Sequence, residues 1–150
     1  MDYDNAPMGI FDSCFGGLTV AREIIKALPE ESIIFYGDRA NCPYGPRDPE
    51  QVKQFVLRIC QWLIDRKVKM IVIACNTATA VVWEEIKGAL DIPVLGVVLP
   101  GSSAAIKSSQ SGHIGVIGTP MTIASNIYEQ KIKHLAPQMN VLSLSCPRFA

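Results

Sequence analysis

Ile73-Ala74-Cys75-Asn76-Thr77-Ala78-Thr79 decides the fold of this 150-residue chain. The residues leading into it, Met70-Ile71-Val72-Ile73, form a short apolar run, as a strand covered on both faces should. After Cys75 the pattern becomes helical. Gly9-Ile10-Phe11-Asp12-Ser13-Cys14-Phe15-Gly16-Gly17 makes the same transition nearer the N-terminus. Each run delivers acid, hydroxyl, thiol or amide groups at its carboxyl end, which in an open parallel sheet is the edge where ligands bind. A thiol at such a turn lies where helix N-terminal N–H groups favour its thiolate, so Cys75 reads as reactive, with Asp12 and Ser13 as neighbours across one cleft.

Working outward, strand patterns occur over 8–11, 32–36, 70–74, 94–98, 113–117 and 141–145. Helical patterns fall between them, over 17–28, 48–67, 77–90, 102–109 and 122–135. Pro29 stops the first helix, and Asp48 followed by Pro49 starts the second. The alternation predicts an α/β protein with a mostly parallel sheet flanked by helices. The Gly/Ser-rich stretch 100–112 reads as the entry to a second lobe. The strand pattern at 141–145 is followed by only five residues, so the chain reads as cut short, with its last strand uncovered.

Composition removes several classes of function. Fourteen Lys and Arg balance fourteen Asp and Glu, which leaves no basic field for nucleic acid. Two histidines, His113 and His134, are too few for a His-built metal site. The N-terminus MDYDNAPMGIF is acidic and lacks the apolar core of a signal peptide. Its apolar runs fall far short of the roughly 20 residues that span a bilayer. The five cysteines are odd in number and show no C-x-x-C spacing, which argues against a disulfide scaffold or a zinc site. Reduced thiols and a cytoplasmic location are the expectation.

Four polar turns follow strands. At Cys75 the following Asn76, Thr77 and Thr79 suit a carboxylate, although a cysteine there also serves as a small core residue. A cysteine-phosphatase loop would need arginine at position 81, which is Val81. Asp12-Ser13 reads as a helix cap or as an acid near the thiol. Neither G-x-G-x-x-G nor a Walker loop is present. Pro43-Tyr44-Gly45-Pro46 is a turn by composition, or a rigid loop presenting Tyr44 and main-chain N–H groups. Arg39 or Arg47 beside it could clamp a carboxylate. Gly118-Thr119-Pro120-Met121-Thr122 is a helix start on the same edge. Cys60 within a helix pattern reads as structural, and His113 as solvated or bonded to main chain.

Taken together, Ala74-Cys75-Asn76-Thr77-Ala78, Pro43-Tyr44-Gly45 and Gly115-Val116-Ile117-Gly118-Thr119 resemble the N-terminal part of the glutamate racemases in the aspartate/glutamate racemase superfamily. The likeness runs through 9–20, 36–46, 73–80, 93–101, 114–125 and 145–149. It implies a cofactor-independent, metal-free racemase with two pseudo-symmetric α/β lobes, here residues 1–98 and the beginning of a second lobe over 99–150. It further implies that Cys75 removes the substrate α-proton with help from Asp12. Substrate contacts would come from Asp12, Ser13, Tyr44, Gly45, Asn76, Thr77, Thr119 and Thr122. The substrate would be glutamate, the product D-glutamate for peptidoglycan, and the assembly a candidate homodimer.

The sequence departs from that pattern at two points. The second acid/base cysteine, in a Gly-Cys-Thr-His segment, has no counterpart, and Cys146 belongs to a different Ser-Cys-Pro segment. Cys14 stands where the family prefers glycine, which predicts a crowded cleft or a backbone conformation suited to glycine. Two rival readings therefore stay open. One is a racemase of aspartate or another acidic amino acid; the other is a catalytically silent amino-acid-binding remnant.

Overall fold

The computed structural model describes residues 5–148. Residues 1–4 of the acidic N-terminus, and residues 149–150 at the end of the final matched segment, lie outside the described residues.

Strands β1 (Met8–Asp12), β2 (Ile33–Gly37), β3 (Met70–Ile73) and β4 (Val94–Gly96) pair in parallel in the order β2-β1-β3-β4. Phe11 sits beside Tyr36 on one side and Ile73 on the other. The pleat sends alternate side chains to opposite faces, and both faces are apolar. On one face Ile10, Val72 and Ala74 pack with Ala21 and Ile24 of helix α1 (Leu18–Ala27). On the other, Phe11, Ile71 and Ile73 pack under α2 (Pro49–Asp65) and α3 (Asn76–Ile86).

Local signals account for most helix boundaries. Asp48 accepts the Glu50 N–H at 2.9 Å, and Pro49 at the first helical position gives up an N–H that would have no partner. Val52, Val56, Ile59, Cys60 and Leu63 then form the buried stripe of α2. Burial pushes the Cys60 thiol up to about 12, and it lies in the core. The third helix ends at Ile86 rather than at 90, and Gly88 just beyond it adopts a left-handed φ of 75°.

Two further boundaries differ from the pattern reading. The fourth strand stops at Gly96, and Val98 already belongs to α4 (Val98–Ser108), with Pro100 in its first turn. Gly96 lies so close to α3 that an added Cβ would stand 2.7 Å from Thr79 Cγ2. The boundary expected between 98 and 99 therefore falls inside the first turn of α4. The helix expected over 122–135 is two, α5 (Pro120–Ala124) and α6 (Ile127–Leu135), separated by Asn126 with φ 57°. Asparagine tolerates that left-handed conformation better than most residues.

Strands β5 (His113–Gly118) and β6 (Asn140–Ser145) form a second, two-stranded parallel sheet. Ile114, Ile132, Ala136 and Met139 make its core, while Ile117, Leu142 and Leu144 are exposed. His113 Nδ1 bonds the Ser111 carbonyl at 2.9 Å on the surface. Packing of α5 on α3 and of α6 on α4 brings the carboxyl end of β5 to the first sheet. Among the described residues no helix is long and apolar enough to cross a membrane.

Candidate active site

The chain leaves β1 in one direction to reach β2, then crosses over to β3 on the other side of β1. The switch point therefore lies between β1 and β3, and a crevice opens outside their carboxyl ends. Asp12 and Ser13 emerge there from β1, and Cys75 from β3. The resulting cleft has a volume of about 720 Å³ and gathers Asp12, Ser13, Tyr44, Gly45, Cys75, Asn76, Thr77, Thr119 and Thr122 along its walls. The expected residues thus share one space, though they do not all face it in the same way.

Cys75 occupies the N-cap position of α3. Its sulfur accepts the Ala78 N–H at 3.4 Å, and its S–H donates to Ser13 Oγ at 3.5 Å. The carbonyl of the same residue accepts the Thr79 hydroxyl at 2.8 Å, which holds the turn rigid. Burial pushes the Cys75 thiol up, the Ser13 hydroxyl and Ala78 N–H pull it back, and the Asp12 charge raises it further. Desolvation thus outweighs the helix N-terminus, contrary to the thiolate read from the sequence. At neutral pH Cys75 is therefore a thiol, beside a hydroxyl able to reverse its bond and donate to the thiolate.

Asp12 closes the β1–α1 turn. Its Oδ2 accepts the Cys14 N–H at 3.2 Å and the Gly17 N–H at 3.0 Å. The N-cap position itself is Gly17, without a side-chain bond, so Asp12 supports the helix from the strand end. Of the Gly16-Gly17 pair only Gly17 is required by space. A Cβ there would stand 2.6 Å from Asp12 Cβ and 2.9 Å from Ala74 Cβ, whereas at Gly16 the nearest atom is 3.6 Å away.

Cys14 corrects one expectation. Among the described residues only Lys67 and Asn126 are non-glycines with positive φ, so Cys14 adopts no conformation reserved for glycine. Its thiol lines the cleft with that of Cys42. Burial, and then the Cys14 thiol bonded to it, push Cys42 up to about 11.

Tyr44 also departs from expectation. The ring is 1% exposed and packs on Phe55 with centroids 5.8 Å apart. Its hydroxyl donates to Asp38 Oδ2 at 2.6 Å, and burial together with that bond raises the phenol well above its usual range. The hydroxyl is therefore committed to Asp38, although Tyr44 and Gly45 both line the cleft. Neither arginine reaches the cleft. Arg39 lies over Phe15, while Arg47 lies over Phe55 and donates Nε to the Asn41 carbonyl.

On the opposite wall, Thr119 Oγ1 is 3.0 Å from Thr77 Oγ1 and from Thr122 Oγ1, and the third side of the triangle measures 3.3 Å. Thr119 also caps α5 by accepting the Thr122 N–H at 3.3 Å. All three threonines are buried, and their triangle joins the two sheets' helices. Tyr128, near the start of α6, donates its hydroxyl to Asn76 Oδ1 at 2.6 Å and lines the cleft. Sequence reading missed Tyr128 because its place depends on the break at Asn126. Cys146 does not line the cleft.

Comparison with known proteins agrees with this geometry. Across 98% of its length the chain is 71% identical to a glutamate racemase of Streptococcus thermophilus, over 54% of that protein. A glutamate racemase isoform from Bacillus anthracis superposes with a TM-score of 0.92 at 48% identity, covering 95% of this chain and 53% of that one. A glutamate racemase from Francisella tularensis, solved in complex with D-glutamate, gives 0.88 at 39% identity, covering 97% and 55%. The chain spans about half the length of the relatives it matches. Residues 16–144 match the Asp/Glu/Hydantoin racemase family, and the chain belongs to that family.

Proposed function

We propose that this cleft binds glutamate and that Cys75 exchanges the proton on its α-carbon, as one half of a cofactor-independent racemisation. The observation that carries the reading is the placement of the Cys75 sulfur between the Ser13 hydroxyl and the Ala78 N–H, at the switch point and beside Asp12. The Cys75 thiol first gives up its proton to solvent; the thiolate then takes the α-proton and becomes the thiol, and the electron pair of the broken C–H bond spreads into the substrate carboxylate. Asn76 and Thr77 open α3, so their N–H groups have no intrahelical acceptor and suit that carboxylate. Asp12 suits the α-ammonium. Its negative charge raises the Cys75 thiol, so an ammonium beside it offsets that effect and favours the thiolate once substrate is bound.

The same proposal assigns D-glutamate formation for peptidoglycan, a cytoplasmic setting, and a division into two lobes near residue 98. A second reading, binding without inversion, is supported by the wall facing Cys75. Among the described residues that wall offers Ile114 to Gly118, Thr119, Thr122 and Tyr128, with no thiol.

Incubation with L-glutamate in D₂O tests both readings. The proposal predicts deuterium at the α-carbon, reduced at least about 100-fold in Cys75→Ala, the usual loss on removing a general base. Exchange with inversion favours full racemisation, exchange with retained configuration favours Cys75 acting as a lone base, and binding without exchange favours the second reading. Undiminished exchange in Cys75→Ala contradicts the assignment of the base.

A further inference from the structure

Tyr128 reaches the cleft by a specific route. The left-handed Asn126 separates α5 from α6, so that α6 packs on α4 and Tyr128 near its start meets the first residue of α3. The ring passes above Gly101, where an added Cβ would lie 3.4 Å from the hydroxyl oxygen and 3.5 Å from Cε1. The hydroxyl then meets Asn76 Oδ1 at 2.6 Å, linking residues 52 apart in sequence. Burial raises the Tyr128 phenol above its usual range, so at neutral pH it keeps its proton and donates.

The consequence falls on Asn76. A carboxamide has one face that accepts and one that donates, and rotation about χ2 exchanges them. Bonding Oδ1 to Tyr128 removes the accepting face from the cleft and leaves Nδ2 as the group on offer. Among the described residues no hydrogen bond engages Nδ2. We propose that Tyr128 is a positioning residue that locks the Asn76 carboxamide with its N–H donors toward the cleft, where they suit a carboxylate oxygen. The inference rests on the glutamate reading for its ligand, but the lock itself is a property of the unliganded chain. With the lock removed, an amide free to rotate presents its oxygen to the same carboxylate part of the time, and binding weakens without altering the base.

Tyr128→Phe tests this, because it keeps the ring above Gly101 and deletes the hydroxyl. In ¹⁵N-correlated NMR spectra of the unliganded chain, the Asn76 side-chain amide pair is identified by its absence from Asn76→Ala. The proposal predicts that this pair moves in Tyr128→Phe while the side-chain pairs of Asn41 and Asn140 stay in place. Titration with D-glutamate should then show affinity about 5- to 10-fold weaker in Tyr128→Phe, the scale of one net hydrogen bond. In the Asn76→Ala background the same substitution should change affinity less than twofold. An Asn76 amide pair that does not move overturns the proposal, as does an equal loss of affinity in both backgrounds. If the unmodified chain takes up no glutamate, the functional reading fails, and the amide shift alone decides the positioning claim.

Discussion

The wall built by the ends of β1 and β3 carries a thiol, a carboxylate and main-chain N–H groups, whereas the wall built by β5, α5 and α6 carries threonine and tyrosine hydroxyls on an apolar ground. The first sits on a four-stranded sheet buried on both faces. The second sits on a two-stranded sheet whose outer residues Ile117, Leu142 and Leu144 are exposed. On the first wall the Cys75 sulfur is held by the Ser13 hydroxyl and the Ala78 N–H. The second wall is tied to the first through the threonine triangle and the Tyr128–Asn76 bond.

Substitution at Gly17 should break the comparison most strongly. Gly17→Ala drives a methyl to within 2.6 Å of Asp12 Cβ and 2.9 Å of Ala74 Cβ, two short side chains with little room to yield. Overpacking of this kind costs about 1–3 kcal/mol, and here it also displaces the carboxylate. Gly16→Ala, with 3.6 Å to its nearest neighbour, should leave stability within about half a kcal/mol of the parent. Paired thermal melts check this, and equal effects at the two positions would contradict the packing described for the first wall.

Thr119→Val should have a smaller effect, confined to the second wall. It keeps the side-chain shape but removes the cap on α5 and one corner of the triangle. The expected loss is about 1–2 kcal/mol of stability, measured by urea unfolding, with weaker glutamate binding and an unchanged Cys75 environment.

The last effect is confined to alkaline pH. Cys60 is pushed from the ordinary 9.0 to about 12 and Cys42 to about 11 by burial in the folded chain. An acid whose folded value is raised stabilises the fold below its unfolded value and loses that stability as pH rises through the folded one. The contribution of these two thiols should therefore be constant below pH 9 and be lost between about 9 and about 12. Cys60→Val should flatten part of that fall, and a pH series of denaturant midpoints reads it directly.

The strands, the parallel alternation and the gathering of Asp12, Ser13 and Cys75 were legible because each rests on a local pattern: a short apolar run, then a polar turn, then helical spacing. What was not legible depends on distant contacts. The fourth strand ends early because Gly96 closes on Thr79, and α4 begins at Val98, its N-cap Val97 having no side-chain bond to announce it. Tyr44 has turn-like neighbours, yet Phe55 and Asp38 draw its ring and hydroxyl inward. Cys60 and Cys75 illustrate the limit most sharply. Both thiols are buried, at 2% and 5% exposure, but one faces only core and the other faces a cleft. Spacing on a helix suffices for the first. The second needs the sheet order, because only the switch point puts Ser13 beside it.

Protection of Cys75 from alkylation tests the central claim most directly. The chain is treated with iodoacetamide at slightly alkaline pH, with and without D-glutamate, and each cysteine is followed by mass spectrometry. The account predicts that D-glutamate slows modification of Cys75 in a concentration-dependent way while Cys146, outside the cleft, is modified at an unchanged rate. Cys75 modification at the same rate with and without ligand would contradict it.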